Sequence, residues 1–157
     1  MRPILLLLAL AGCNAFLNKD YTHEPAPRID GGIWLSERPP AHEWRVVTFF
    51  ATDGERSAGN VPRLKALAAE FGPKGVDVIA ITRAPVEDAR RFAEQHAADY
   101  TIQALGDAAF ERWGVGDAEH APIYVVDPNG IVLTSGHDNC VELLRERLGS
   151  APEAPRK

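Results

Sequence analysis

The sequence predicts an α/β domain built as a three-layer sandwich, with a central mixed β-sheet and helices on both faces. Two patterns carry that expectation. Short β-branched and aromatic runs alternate with amphipathic segments of helix length, and a hairpin followed by one more helix closes the chain. With 157 residues, 45% of them hydrophobic and 25% charged, the chain has material for one core and no second domain.

Trp44 to Thr52 and Val76 to Thr82 read as buried central strands, because they are nearly continuous in apolar residues. Between them, Pro62 to Phe71 places Leu64, Leu67, Ala68 and Phe71 on one helical face and stops at Gly72-Pro73. Pro85 to Ala97 follows as a second helix, with Pro at its first turn and Phe92 and His96 one turn apart. A weaker strand is expected from Tyr100 to Leu105 and a short helix from Asp107 to Trp113. Ile123 to Asp127, the turn Pro128-Asn129-Gly130 and Ile131 to Thr134 form the hairpin. Cys140 to Leu148 is the last helix, with Leu143, Leu144 and Leu148 inward and Asp138 or Asn139 as its cap.

The ends read differently. Met1-Arg2-Pro3, the apolar run Ile4 to Ala11 and Gly12-Cys13 have the order of an export signal: a positive residue, a hydrophobic stretch, then small residues. As a helix that run spans about 12 Å, far short of a hydrocarbon core of about 30 Å, so it is not a transmembrane helix. Leu10-Ala11-Gly12-Cys13 resembles the lipobox of bacterial lipoproteins, which implies cleavage before Cys13 and lipid on its thiol. The resemblance further implies an envelope location, with the domain in the periplasm or outside the cell. By the enterobacterial sorting rule Asn14 favours the outer membrane. The expected organisation is a signal over residues 1–12, a lipidated N-terminus and flexible tether over 13–32, the domain over 33–149, and a disordered tail over 150–157. The net charge of −5, more acidic still once a leader carrying Arg2 is removed, excludes a polyanion-binding surface of ordinary kind, so no nucleic acid is expected as partner.

Several motifs from Ile33 to Leu148 carry a family likeness. They are Phe50-Ala51-Thr52, Pro62 with Leu64 and Leu67, Gly75 to Ile79, Trp113-Gly114-Val115, and Pro122 followed by Ile123 to Asp127 and Asn129-Gly130. Together they resemble the membrane-associated thioredoxin-like proteins of the TlpA and redoxin type. The likeness implies a thioredoxin-like fold, a helix that starts just after Thr52, a Cys-x-x-Cys pair at that helix start, and a cis-proline at Pro122. The register puts Gly54 and Ser57 at the two cysteine positions. Thiol-disulfide exchange needs a thiolate to attack and a second thiol to resolve the mixed disulfide. Gly54 has no side chain, and a serine hydroxyl without an activating base does not replace a thiol. Ser57 reads as an N-cap. No catalytic residue and no cofactor is therefore assigned, and the expectation leans away from an enzyme.

Once Cys13 is lipidated, Cys140 is the remaining thiol. In the first turn of a helix it is a candidate reactive thiol; packed inward beside Leu143 and Leu144 it is a small hydrophobe, and its apolar neighbours favour the second reading. His137 with Cys140, and His120 from the Pro122 loop, offer a sparse ligand set short of the four of a closed zinc site. His23, His42 and His96 read as solvated, and Asp53, Glu55, Asp117 and Glu119 as loop charges. The resemblance also implies a groove beside Pro122 in which relatives hold an extended peptide by backbone hydrogen bonds. The candidate binding face comprises Asp53, Gly54, Glu55, His120, Pro122, Gly136 and His137. The function expected is a redox-inactive protein-binding or assembly module. The alternatives are an oxidoreductase or peroxidase working through Cys140, and a metal-binding protein.

Overall fold

The computed structural model describes residues 20–40 and 43–149. The leader, Cys13, Asn14, His42 and the tail from residue 150 lie outside the described residues.

One sheet of six strands organises the domain, in the order β1-β4-β3-β2-β5-β6. The strands are β1 (Ile33–Trp34), β2 (Trp44–Phe49), β3 (Val76–Ile81), β4 (Thr101–Ala104), β5 (Tyr124–Val126) and β6 (Val132–Ser135). β2, β3 and β4 run parallel, while β5 is antiparallel to β2, β6 to β5 and β1 to β4, so the sheet is mixed. Strand alternation sorts the core into two layers. On one face Val46, Val78 and Val125 meet Leu64, Leu67 and Phe71 of α1 (Glu55–Phe71) and Cys140 and Leu144 of α4 (His137–Leu148). On the same face Phe50, Ala80 and Ile102 meet Ala89 and Phe92 of α2 (Val86–His96). The other face buries Val47, Phe49, Ile79 and Ile81 against Phe110 of α3 (Asp107–Arg112) and Trp113. Helices thus cover both faces, as the alternating pattern requires.

The expectation of a tether up to residue 32 does not hold for its described part. Tyr21 is buried against the rings of Trp113 (centroids 5.5 Å) and Tyr124 (6.4 Å), and its hydroxyl donates to the Arg112 carbonyl at 2.8 Å. Backbone bonds run from His23 N to Val132 O, from Val132 N to Glu24 O and from Ala26 N to Gly130 O. Pro25 bridges Ile131, and Gln103 donates to the Ile29 carbonyl. Residues 20–32 therefore strap the face that α3 leaves partly open and extend the hairpin by one irregular strand. Prolines and glycines are compatible with such an edge, because they need not supply a ladder of donors.

Two helix starts differ from the apolar periodicity, the first of them in the direction the family likeness implies. α1 begins at Glu55, seven residues before Pro62, which sits inside it; a helix tolerates the missing amide there when its first turn is fixed by other means, described below. α4 begins at His137 with Gly136 as N-cap at φ 91°, and no side chain caps it; Asn139 donates to the Ser135 carbonyl instead, and the Asp138 carboxylate meets the His137 ring. All peptide bonds of the described residues are trans, so Pro122 is not cis as expected. Ala121 before it, at φ −63° and ψ 133°, holds the extended conformation that a trans proline imposes on its predecessor.

Candidate functional site

The chemistry-bearing end of the molecule lies where β2 hands over to α1. Phe50 N donates to Ile81 O, the chain turns through Ala51 to Asp53, and Gly54 N donates back to Ala51 O at 3.2 Å. Gly54 becomes the N-cap of α1 with no side chain to contribute. The orphan amides of the first turn find their acceptor far along the chain. Glu119, in a 3₁₀ turn over Ala118–His120, accepts from Arg56 N at 3.0 Å through Oε2 and from Ser57 N at 3.1 Å through Oε1. The Ser57 hydroxyl donates to the same Oε1 and accepts from Ala51 N at 3.0 Å. Ser57 is therefore not the N-cap expected; it is a buried link between the turn and a carboxylate that caps the helix from outside.

The helix start concentrates partial positive charge, which is where a carboxylate is most favourable. Burial pushes the Glu119 carboxyl up, but hydrogen bonds from the Ser57 hydroxyl and the Arg56 and Ser57 amides outweigh it and hold the group below the usual glutamate range. Asp117 is held low as well, chiefly by the His120 ring at 2.5 Å. A Cβ added at Gly54 would land on the Glu119 carboxylate. The space beside the Gly54 backbone is filled by an acid from the same chain.

The other expected residues are dispersed around this point. Asp53 and Glu55 are exposed at the α1 start, while Asp117 and Glu119 are not the loop charges expected but hydrogen-bonded parts of the site. Gly136 lies beside the Pro122 segment through its amide bond to Ile123 O at 2.8 Å. His137 pairs with Asp138 at 3.1 Å and faces a separate depression with Val141 and Arg145. It does not join the binding face. Cys140 is fully buried, with its thiol on the Ile123 carbonyl at 3.3 Å, and burial pushes its pKa up to about 12. A thiol in that state is a packing group, so the candidate reactive thiol is withdrawn. Among the described residues no three His, Cys, Asp or Glu side chains gather to hold a metal ion, so His120, His137 and Cys140 do not form the ligand set considered. His96, expected to be solvated, stacks on Phe92 with centroids 4.6 Å apart.

Two concavities flank the capped helix start. One of about 280 Å³ lies at the carboxyl ends of β2 and β3, lined by Phe50, Asp53, Thr82 and Arg83, with the Arg83 guanidinium over the Phe110 ring at 4.4 Å. The other, about 440 Å³, runs between α1 and the Pro122 loop and is lined by Arg56, Gly59, Asn60, Arg63, Glu119, His120 and Ala121. Of these groove residues only Glu119, as a loop charge, and His120 carried an expectation from the sequence. Glu119 is joined to its partners across 62 and 63 positions, and no local pattern announces a contact of that range.

A sequence profile described as the AhpC/TSA family matches residues 27–135. The chain belongs to the AhpC/TSA family. It is a thioredoxin-like protein of the redoxin and TlpA type, and solved structures agree on the fold. The thioredoxin domain of a thiol-disulfide oxidoreductase from Bacteroides vulgatus superposes with TM-score 0.71 at 17% identity, over 83% of this chain and 99% of that one. A thiol:disulfide interchange protein from a Bacteroides species gives 0.67 at 20%, over 84% and 93%. Peroxiredoxin Q from Xanthomonas campestris gives 0.58 at 17%, over 68% and 80%. No match is found among curated protein sequences. This AhpC/TSA-family chain thus shares its fold with redox proteins, and the start of its α1 brings Gly54, Ser57 and Glu119 together.

Proposed function

We propose that this protein is a redox-inactive, lipid-anchored member of its family that works at the bacterial envelope as a protein-binding or assembly module. The observation that carries the reading is the Glu119 carboxylate on the first-turn amides of α1, against Gly54. In a thiol enzyme that helix terminus lowers the pKa of the attacking sulfur. Here the same electrostatic position is permanently occupied by an acid that has no leaving or accepting chemistry with a disulfide. What the fold retains is the groove between α1 and the Pro122 loop, a shape suited to an extended segment. The anchor rests on the Leu10 to Cys13 motif.

The test combines activity, location and contact on the full chain. Insulin disulfide reduction and peroxide turnover should stay at the level of a Cys140→Ser variant, and a Cys13→Ser variant should leave the membrane fraction. A photo-reactive residue substituted at Ala121 should cross-link a protein partner in the intact envelope, whereas one at Gln95, on α2, should not. Turnover that depends on Cys140 would overturn the reading in favour of the oxidoreductase or peroxidase.

A further inference from the structure

The groove beside α1 has a definite chemistry. Arg56, Asn60 and Arg63 stand at i, i+4 and i+7 on α1 and line one wall along a single helical face. Both arginines are exposed; Arg56 lies within electrostatic reach of Asp117 and helps to hold its carboxyl low, and Arg63 has no acidic partner among the described residues. Of the acidic groups beside the groove, Glu119 is held by the helix amides and Ser57, and Asp117 by the His120 ring and the Glu119 amide. The groove's lining thus sets two arginines against one carboxylate, Glu119, whose oxygens are turned to the helix amides, so the side chains it offers a ligand are cationic, on a chain whose net charge is −5.

A second, independent feature lies on the floor. Gly59 sits inside α1, where a glycine costs about 1 kcal/mol relative to alanine. Neither φ nor space requires it: a Cβ there meets nothing within 4 Å. A helical glycine facing open space between two arginines allows close approach of another backbone to the helix. Arg56 and Arg63 are about 10 Å apart along the axis at 1.5 Å per residue, the span of about three residues of extended chain.

We infer that the groove formed by Arg56, Gly59, Asn60, Arg63 and the His120-Ala121 loop binds an extended, acidic segment of a partner protein. The segment carries carboxylates three to four residues apart, one for each arginine, and its backbone passes over Gly59. The inference rests on the binding-module reading and specifies its partner. Overall repulsion between two acidic proteins does not oppose it at contact, because charges more than about 8 Å apart are screened at physiological ionic strength. Local complementarity then sets orientation and selectivity.

The probes are two fluorescein-labelled decapeptides, one alternating Glu and Thr and the other Gln and Thr, titrated into the full chain and read by fluorescence anisotropy. The Glu peptide should bind at least about tenfold more tightly than the Gln peptide, and more weakly as salt rises. Arg56→Ala with Arg63→Ala should remove the preference. Gly59→Met should abolish binding by filling the floor while leaving the thermal midpoint equal or higher, which separates occlusion from unfolding. Equal binding of both peptides, unaffected by the arginine substitutions, overturns the acidic specificity and leaves the groove. Arginine-dependent binding of inorganic polyphosphate without either peptide overturns the protein partner in favour of a simple anion site. Failure of every probe overturns the inference, and the cross-linking at Ala121 decides separately whether the module reading falls with it.

Discussion

Glu119 and Cys140 show how much one side chain's surroundings decide. Glu119 caps α1 through two amides, and losing a cap of this kind costs about 1 kcal/mol. Glu119→Ala should lower the urea unfolding free energy by about that amount at neutral pH. The pH dependence has a sign. Its carboxyl is held below the ordinary glutamate value of 4.5, so its contribution is complete above that value and lost as pH falls through the folded-state value. Asp20, Asp30, Glu70 and Asp117 are held low too, so the specific readout is the difference between wild type and Glu119→Gln, which should narrow as pH falls below the ordinary glutamate value. Cys140, with its thiol pushed up to about 12 by burial, should react with an aromatic disulfide reagent only as fast as the protein opens, and at once in denaturant. The sequence alone placed Cys140 beside Leu143 and Leu144 and so favoured the packed reading. It gave no means of choosing Glu119 over Glu55 or Asp53 as the acid that meets the helix, because that choice is made by a contact across 62 residues.

At the scale of elements, strands β2 to β6 and the helices α2, α3 and α4 follow the apolar periodicity to within a few residues, because burial on one or both faces writes itself into local sequence, whereas the two-residue β1 is too short to leave such a pattern. α1 is the exception. Its apolar stripe becomes dense only after Pro62, while its first seven residues, Glu55 to Val61, have a first turn that Glu119 completes from outside. The register that set Gly54 and Ser57 at the helix start came from family likeness, and the structure places both there. That register has a testable corollary. Gly54→Cys with Ser57→Cys should fail to form a disulfide under mild oxidation, because the new Cβ at position 54 meets the Glu119 carboxylate. Adding Glu119→Ala should allow the pair to close, as thiol counting by mass spectrometry would register.

The whole molecule is larger than its family match. The match begins at residue 27, and the domain expected from sequence begins at 33, yet the described fold already engages Tyr21. Polar residues with prolines and glycines read locally as linker, and only the aromatic pocket of Trp113 and Tyr124 reveals that Tyr21 has a place in the core. Tyr21→Ala should cost about 3 kcal/mol, the range for removing a buried aromatic side chain. In native-state hydrogen exchange it should expose the amides of His23 and Ala26 together with that of Val132, since these share the strap's backbone bonds.

The strap also sets a leash. If lipid at Cys13 holds the chain in a membrane, free travel ends at Asp20 instead of at residue 32. Between those two points an extended chain reaches at most about 25 Å, where a tether to residue 32 would reach nearly 70 Å. The edge of the sheet carrying β6 would therefore ride within one domain diameter of the bilayer. Partners would have to approach along the surface of that membrane, and not from the depth of the compartment beyond it.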